Sequence, residues 1–392
     1  MTYNFVKYGI GKEQTVIIVD GKGDQKLTGR VDAMSWAEGR PFYLFSMANP
    51  YNPNAVSYNP FTTGNATELT DKLMTLSDWS EEHYKLSAQR FLQLLFRVFK
   101  LKSIQPDLTT ITKYANRQRL IELLCTATAK SQKTANIIAN TLDLDDLTAM
   151  PPLSEETQDI LSALENIDTK AIDGLSSRLG ILAEGSLREL FKTRSNGVLD
   201  LSSAIEEKAV ILFSLDSLAY PEQARLLGRL IVADIKAQIS YHGRHRAGQP
   251  VLLIFDEFNV FASGTVVDLV NKSRSAGFEA VLSFQSLADI DRLEYGEQIR
   301  RQIIQNCNTL IVHRQNDPLD AEELARAIGT KDSAIITQQI SVEGATGLGS
   351  VRPERAFKVH PDQIKELKTG EAYIKRHTAK GMTVNKVYIR QI

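Results

Sequence analysis

Two cysteines are all that this 392-residue chain contains, and neither Cys125 nor Cys307 has a CxxC partner or a neighbouring histidine pair. A disulfide framework and a thiolate metal centre are thereby excluded, and buried free thiols in a reducing cytosol are expected. Long apolar runs are missing too. No run of about eighteen apolar residues, the length that spans a bilayer, occurs, and the opening "MTYNFVKYGIGKEQ" lacks a signal-peptide core. The chain as given is therefore not expected to cross a membrane by itself. Charge of one sign is also lacking. The formal net charge is −1, which excludes a protein coated in basic residues and leaves only local patches for nucleic acid. Zinc-finger spacing, helix-turn-helix signatures and aromatic stacking ladders are absent, so no base-specific reading is expected.

What is present is ordinary globular composition, 43% hydrophobic and 24% charged, in a chain long enough for about two or three domains. Short continuous apolar runs recur: "TVIIVD" (15–20), "FYLF" (42–45), "AVILF" (209–213), "VLLIF" (251–255), "EAVLSF" (279–284) and "TLIVH" (309–313). Continuous runs suit strands covered on both faces, as in a parallel sheet flanked by helices. "EAYIKR" (371–376) and "KVYIRQI" (386–392) alternate, which predicts an antiparallel pair at a sheet edge.

Between about residues 67 and 193 only helical periodicity is found, with Phe91, Leu94, Leu95, Val98 and Phe99 on one stripe and Leu120, Leu123 and Leu124 on another. Asp78 followed by Glu81 predicts a capping box, and "MPPLSEE" (150–156) punctuates the segment before a helix that starts near Ser154. Trp79 and Tyr84 fit core packing better than interface anchors. Pro221 opens a helix expected to stop near Gly243, and "SVEGATGLGSVRP" (341–353) reads as a Gly/Ser-rich loop free to move. The organisation expected is an α/β domain made of residues 1–64 and 198–392, interrupted by an all-α insertion over 65–197.

The segment "VLLIFDEF" (251–258) carries the chemistry. A buried strand that runs into Asp256 and Glu257 puts two carboxylates where desolvation costs several kcal/mol unless cations or donors meet them. The C-terminal edge of a parallel sheet, where such folds bind ligands, is the place for them. The pattern is that of a Walker B strand, in which the first carboxylate helps hold Mg²⁺ through water and the second polarises an attacking water. Arg274 follows eighteen residues after Asp256, in "NKSRSAGFEA", and Gln285 lies eleven further on, at the end of the next strand. A strand-tip amide can sense a γ-phosphate, and a helix-end arginine can reach a neighbouring subunit's nucleotide.

In order along the chain, "VIIVDGKGD", "SYNPF", the helical insertion, "VLLIFDEF", "SRSAGFEAVLSFQS", "NCNTLIVHRQND" and "LKTGEAYI" resemble conjugative type IV secretion coupling proteins of the TraG/TraD type, relatives of FtsK-type and HerA-type hexameric DNA motors. The resemblance covers nearly the whole chain. It implies a RecA-like P-loop NTPase-type parallel sheet with an inserted all-α domain, working with ATP and Mg²⁺. By the same resemblance Asp256 is the Mg²⁺-side carboxylate, Glu257 the catalytic carboxylate, Arg274 a finger acting in trans and Gln285 the phosphate sensor. Asp20 and Lys22 match the family's Asp-Pro-Lys-Gly strand end, with Gly21 in place of proline. The implied partners are DNA without sequence preference, relaxase or relaxosome proteins bound through the helical domain, a type IV secretion channel and further copies in a homo-hexamer. The implied location is the cytoplasmic side of the bacterial cell membrane.

One element of the pattern is missing. No GxxxxGK[ST] phosphate loop precedes "TVIIVD"; the nearest string, "YGIGKE" (8–13), has no Ser or Thr after Lys12, and only three residues separate Lys12 from Val16. A chain that begins after the phosphate loop and the membrane helices is the expectation. The alternatives are a non-catalytic adaptor of the same family and a chromosomal FtsK/HerA-like ATPase. Basic stretches suited to tracking a phosphate backbone are "YHGRHR" (241–246) and residues 351–392, with ten Lys/Arg against four Asp/Glu.

Overall fold

The computed structural model describes residues 1–76, 79, 81–125, 154–192, 197–245, 249–293, 295–341 and 344–390. Two compact units form, one of residues 5–283 and one of residues 1–4 with 284–392.

The first unit is built on a parallel sheet of five strands. β1 (Thr15–Asp20), β2 (Phe42–Ser46), β5 (Val210–Ser214), β6 (Val251–Asp256) and β7 (Phe278–Leu282) lie in the order β2-β5-β1-β6-β7. The continuous apolar runs are explained by burial: Val16 to Val19, Val210 to Phe213 and Val251 to Phe255 are all buried. Each such side chain contributes about 1.5–3 kcal/mol on leaving water. Helices α2 (Gln25–Ala37), α10 (Pro221–His245) and α11 (Gly264–Ser273) connect strands of this sheet. The helix begun by Pro221 passes Gly243 and ends two residues later than the sequence predicts.

Between the two-residue strands β3 (Ser57–Tyr58) and β4 (Val198–Leu199), which pair with each other, lies the all-α insertion. Its described helices are α3 (Ala66–Met74), α4 (Glu82–Leu101), α5 (Leu108–Tyr114), α6 (Arg117–Cys125), α7 (Glu155–Glu165) and α8 (Thr169–Ala183). The stripe Phe91, Leu94, Leu95, Val98 and Phe99 is buried, as its spacing predicts, and Ser154 caps α7. The predicted capping box at the start of α4 does not form. The helix starts at Glu82 with Glu81 at the cap and no side-chain cap bond, so Glu81 lies outside the first turn, and Asp78 is outside the described residues, as are residues 150–153 of "MPPLSEE". A capping box is present instead one helix earlier, where Asn65 accepts from Glu68 N and Glu68 accepts from Asn65 N.

A buried ion pair ties this insertion to the sheet domain. Lys72 of α3 and Asp234 of α10 are both almost wholly buried and 2.8 Å apart. Lys72 Nζ also donates to the carbonyls of Pro60 (2.7 Å) and Thr63 (3.0 Å), and Tyr58 donates its hydroxyl to Asp234 (2.6 Å). Burial holds the Asp234 carboxyl above its usual range, against the pull of Lys72. The "SYNPF" motif thus supplies Tyr58 and Pro60 to a network in which each charge has its partners.

The second unit has its own core. Helices α12 (Leu287–Asp291), α13 (Gly296–Asn306), α14 (Pro318–Ile328) and α15 (Pro361–Lys365) accompany the three-stranded order β12-β11-β8. Here β8 is Thr309–Val312, β11 is Glu371–Thr378 and β12 is Gly381–Tyr388, and Leu324, Ile328, Val312 and Ile364 are buried together. Although "TLIVH" reads like a strand of the parallel sheet, β8 pairs antiparallel with β11. The β11–β12 hairpin forms as expected but begins its second strand at Gly381, earlier than "KVYIRQI". Ser341 and residues 344–353 lie in strands rather than in the expected loop, and residues 342–343 are outside the described residues. The strands form a long ribbon of β9 (Thr330–Ser341) and β10 (Gly344–Phe357), in which Ser341 pairs with Gly344 and a register shift lies between Ala345 and Gly349.

Replacing Lys72 with methionine strands Asp234 in the interior, so unfolding free energy is expected to fall by about 3–5 kcal/mol. Urea denaturation checks this, and the double replacement Lys72→Met with Asp234→Leu should regain much of the loss.

Candidate functional site

The sheet ends in a polar rung. Ser46, Ser214, Asp20 and Asp256 are the final in-register partners of β2, β5, β1 and β6, and the rung before them is Phe45, Phe213, Val19 and Phe255. Parallel register alone therefore sets Asp20 beside Asp256, on strands about 4.8 Å apart. The chain leaves β1 toward β2 on one side and β6 toward β7 on the other, so the switch point of the sheet, where such folds bind ligands, falls between β1 and β6.

Asp20 is 2% exposed. One of its oxygens accepts from Lys22 N (2.9 Å) and the other from Asp24 N (2.7 Å), which closes the loop of residues 21–24 over the carboxylate. Asp24 in turn caps α2 by accepting from Lys26 N. Gly23, at φ +77°, makes this turn possible, and a Cβ there would lie 2.7 Å from the Leu215 carbonyl. Burial pushes the Asp20 carboxyl up to about 6; the two backbone donors oppose that rise, and the neighbouring Asp256 and Asp24 carboxylates add to it.

Asp256 and Glu257 are half-buried. Glu257 stands in the left-handed region, φ 51° and ψ 49°, at the point where the strand turns into a 3-10 turn over Phe258–Val260. The turn is held on three sides. Gly21 N donates to Asp256 O (3.0 Å), Phe258 N to Ser283 O (2.9 Å) and Val260 N to Glu257 O (3.0 Å).

Of the residues singled out in the sequence, Asp20, Lys22, Asp256 and Glu257 belong to these two adjoining strand ends, and Lys22 is exposed. Arg274 is not brought to them within one chain. It opens the 3-10 turn Arg274–Ala276 ahead of β7, at the N-terminal end of a strand whose first residue pairs with Val251. Gln285 belongs to the second unit, three residues beyond β7, where it is exposed and its carbonyl accepts from Gln315 (3.5 Å). The "YGIGKE" string forms the end of helix α1 (Thr2–Gly11), with Gly9 packed against Leu252 and Val16, so it is not a phosphate loop. Sequence reading noted Gly21 only as a departure from the family's proline and missed Ser283, and both hold the carboxylate-bearing tips. Cys125 and Cys307 are half-buried free thiols, each raised by burial, and the described residues contain no group of three or more metal-ligating side chains.

The raised Asp20 carboxyl has a defined sign. Its ionised form is disfavoured in the folded chain, by about 3 kcal/mol if the whole rise from 3.8 to about 6 is counted. That penalty is present above pH 6 and disappears as pH falls through the ordinary carboxylate range. Carbon-detected titration of Asp20 should show a midpoint near 6. In Asp256→Asn the midpoint should drop only part of the way, because burial outweighs the neighbouring charge.

Residues 250–369 match the family described as the TraM recognition site of TraD and TraG. Over 95% of the chain it is 23% identical to the type 4 coupling protein DotL of Legionella pneumophila, of which it spans 53%. A segment of 106 residues is 35% identical to an uncharacterized protein of Mycoplasma pneumoniae. In fold the chain is similar to the unbound bacterial conjugative coupling protein TrwB (TM-score 0.59, 14% identity, 97% of this chain and 86% of that one). It is also similar to TrwB in complex with ADP and Mg²⁺ (TM-score 0.55, 14% identity, 97% and 86%) and to VirB4 of Thermoanaerobacter pseudethanolicus (TM-score 0.57, 12% identity, 98% and 84%). No described helix is long and apolar enough to cross a membrane. The family match over residues 250–369, the likeness to DotL along most of the chain and the fold shared with TrwB together support the coupling-protein family of type IV secretion systems.

Proposed function

We propose that this chain is the cytoplasmic portion of an ATP-driven coupling protein that moves DNA, linking relaxase-bound DNA to a type IV secretion channel. The observation that carries the reading is the Asp20–Asp256 rung followed at once by Glu257, at the switch point of the parallel sheet. The donor set fits a hard cation, since carboxylate oxygens are what Mg²⁺ takes. Asn259 Oδ1 and Ser263 Oγ, in the loop just after Glu257, are buried without a hydrogen-bond partner, as groups are that water or a bound species completes.

In this reading Asp256 would help hold Mg²⁺, Asp20 shapes the loop that would present Lys22 to the nucleotide, and Glu257 would accept a proton from the attacking water. Mg·ATP, when bound, supplies the transferable phosphoryl group and the charge that the site neutralises. Arg274, at the far end of β7 from the carboxylates, acts on a neighbouring subunit's nucleotide in a hexamer, and Gln285 senses the γ-phosphate. The basic residues of 351–392 and of the "YHGRHR" segment (241–246) follow the DNA backbone. Residues 65–197 form the inserted domain that meets relaxosome or effector proteins, and residues 1–64 with 198–392 the nucleotide-binding domain. The working location is the inner face of the cell membrane. TrwB with ADP and Mg²⁺ supports the choice of ligand by likeness of fold.

A second reading, a non-catalytic adaptor that recruits relaxosome or secretion substrate, is favoured by one observation: these 392 residues contain no GxxxxGK[ST] loop. Calorimetry with Mg·ATP separates the two. A saturable heat that disappears in Asp256→Ala is the expected result for the motor. Glu257→Gln should then keep binding and lose at least about a hundredfold in DNA-stimulated turnover. No heat with the parent chain would overturn nucleotide binding by these 392 residues.

A further inference from the structure

The outer face of Gly21 and the backbone of Glu257 are fitted to each other. Glu257 is a non-glycine residue in the left-handed region, a conformation that L side chains adopt at a cost and that persists where surrounding structure imposes it. What imposes it here is local. Gly21 is buried, and a Cβ on it would lie 2.9 Å from the Glu257 carbonyl oxygen, 2.9 Å from Val260 Cγ2 and 3.1 Å from Val260 Cβ. That carbonyl is not free to retreat, because it accepts the Val260 N–H that closes the 3-10 turn. Gly21 N donates to Asp256 O and its own carbonyl accepts from Ser217 N, so its backbone cannot retreat either.

We infer that Gly21 is a positioning residue for Glu257: the bare glycine backbone lets the β1 tip close on the β6 tip and hold the Glu257 peptide in its left-handed turn, which aims the carboxylate. The inference deepens the reading of Glu257 as the site's second carboxylate. It also explains the departure from the Asp-Pro-Lys-Gly pattern, since proline at residue 21 would carry a Cβ into the Glu257 carbonyl and would lack the N–H that Asp256 O accepts. The left-handed turn and the glycine are two halves of one contact.

The test needs no nucleotide, so it stands apart from the outcome of Mg·ATP binding. In the full chain, the Cα and Cβ chemical shifts of residue 257 report its backbone region. Gly21→Ala should move them out of the left-handed range and lower Tm by several degrees. Glu257→Gly and Glu257→Ala remove the same carboxylate, yet the glycine variant should melt above the alanine variant because only glycine takes the left-handed turn without strain. The double variant Gly21→Ala with Glu257→Gly should lose less than the sum of its parts, since glycine at 257 can swing its carbonyl aside. Unchanged shifts at residue 257 in Gly21→Ala would overturn the inference. So would a glycine variant at 257 that melts at or below the alanine variant, which keeps the question decidable if Gly21→Ala does not fold.

Discussion

Parallel register forces the carboxylates of Asp20 and Asp256 together, and much of the first unit is arranged to accommodate that pair. An apolar sheet can end in two adjacent acids only if one of them is met by donors, and Asp20 is met by two backbone N–H groups of its own loop. Those bonds set the loop's shape, and the shape sets the start of α2 through Asp24. The same strand end donates Gly21 N to the Asp256 carbonyl and offers the Asp20 carbonyl to Leu215 N. The tips of β5 and β6 are thereby sewn to the strand end that carries the buried carboxyl. A carboxyl raised to about 6 is the electrostatic cost of this arrangement, one that the fold bears at neutral pH.

The helical insertion is joined to that sheet by a different kind of charge. Lys72 and Asp234 lie in the interior with every hydrogen-bonding group engaged, so the pair fixes where α3 meets α10 more than it adds to stability. Hydrophobic contact alone tolerates sliding between helices. A buried cation that needs Pro60 O, Thr63 O and Asp234 at once does not. The short "SYNPF" segment thus joins the sheet, through Tyr58, to the insertion.

How much of this was legible in the sequence depends on the range over which each signal acts. Apolar runs and the acidic pair at 256–257 are local, and the strands of the parallel sheet and their carboxylate-bearing ends were readable from them. The helical stripe at Phe91 to Phe99 was equally plain because its period is set by one helix. Signals that depend on pairing were not. "SVEGATGLGSVRP" has the glycines of a loop, yet across from it "SAIITQQIS" supplies a strand, and a register shift accommodates what composition alone reads as irregular. The Lys72–Asp234 contact spans a sequence separation of 162, and neither residue type announces burial. Gly21 was visible as a departure from a pattern, but its reason lies in the Glu257 carbonyl, which no spacing rule connects to it.

The strands "EAVLSF" and "TLIVH" make the limit clear. Continuous apolar character reports cover on both faces of a strand and says nothing of how many neighbours it has in the hydrogen-bonding plane. Among the described residues β7 ends the parallel sheet and β8 ends the three-stranded one, although both read like inner strands. The opposite border of the parallel sheet is treated differently: β2 meets Ala55 in a bridge to Leu44, and Val56 N donates to Leu44 O. On the β7 side Glu279 is exposed and Ala280 to Leu282 are only half-buried, whereas Val251 to Phe255 beside them are fully buried. An apolar parallel edge without bulge, proline or lysine is one that proteins ordinarily pair or cover. Within the first unit and among the described residues, this edge carries the exposed charge of Glu279 and lies beside the strand that bears Asp256 and Glu257.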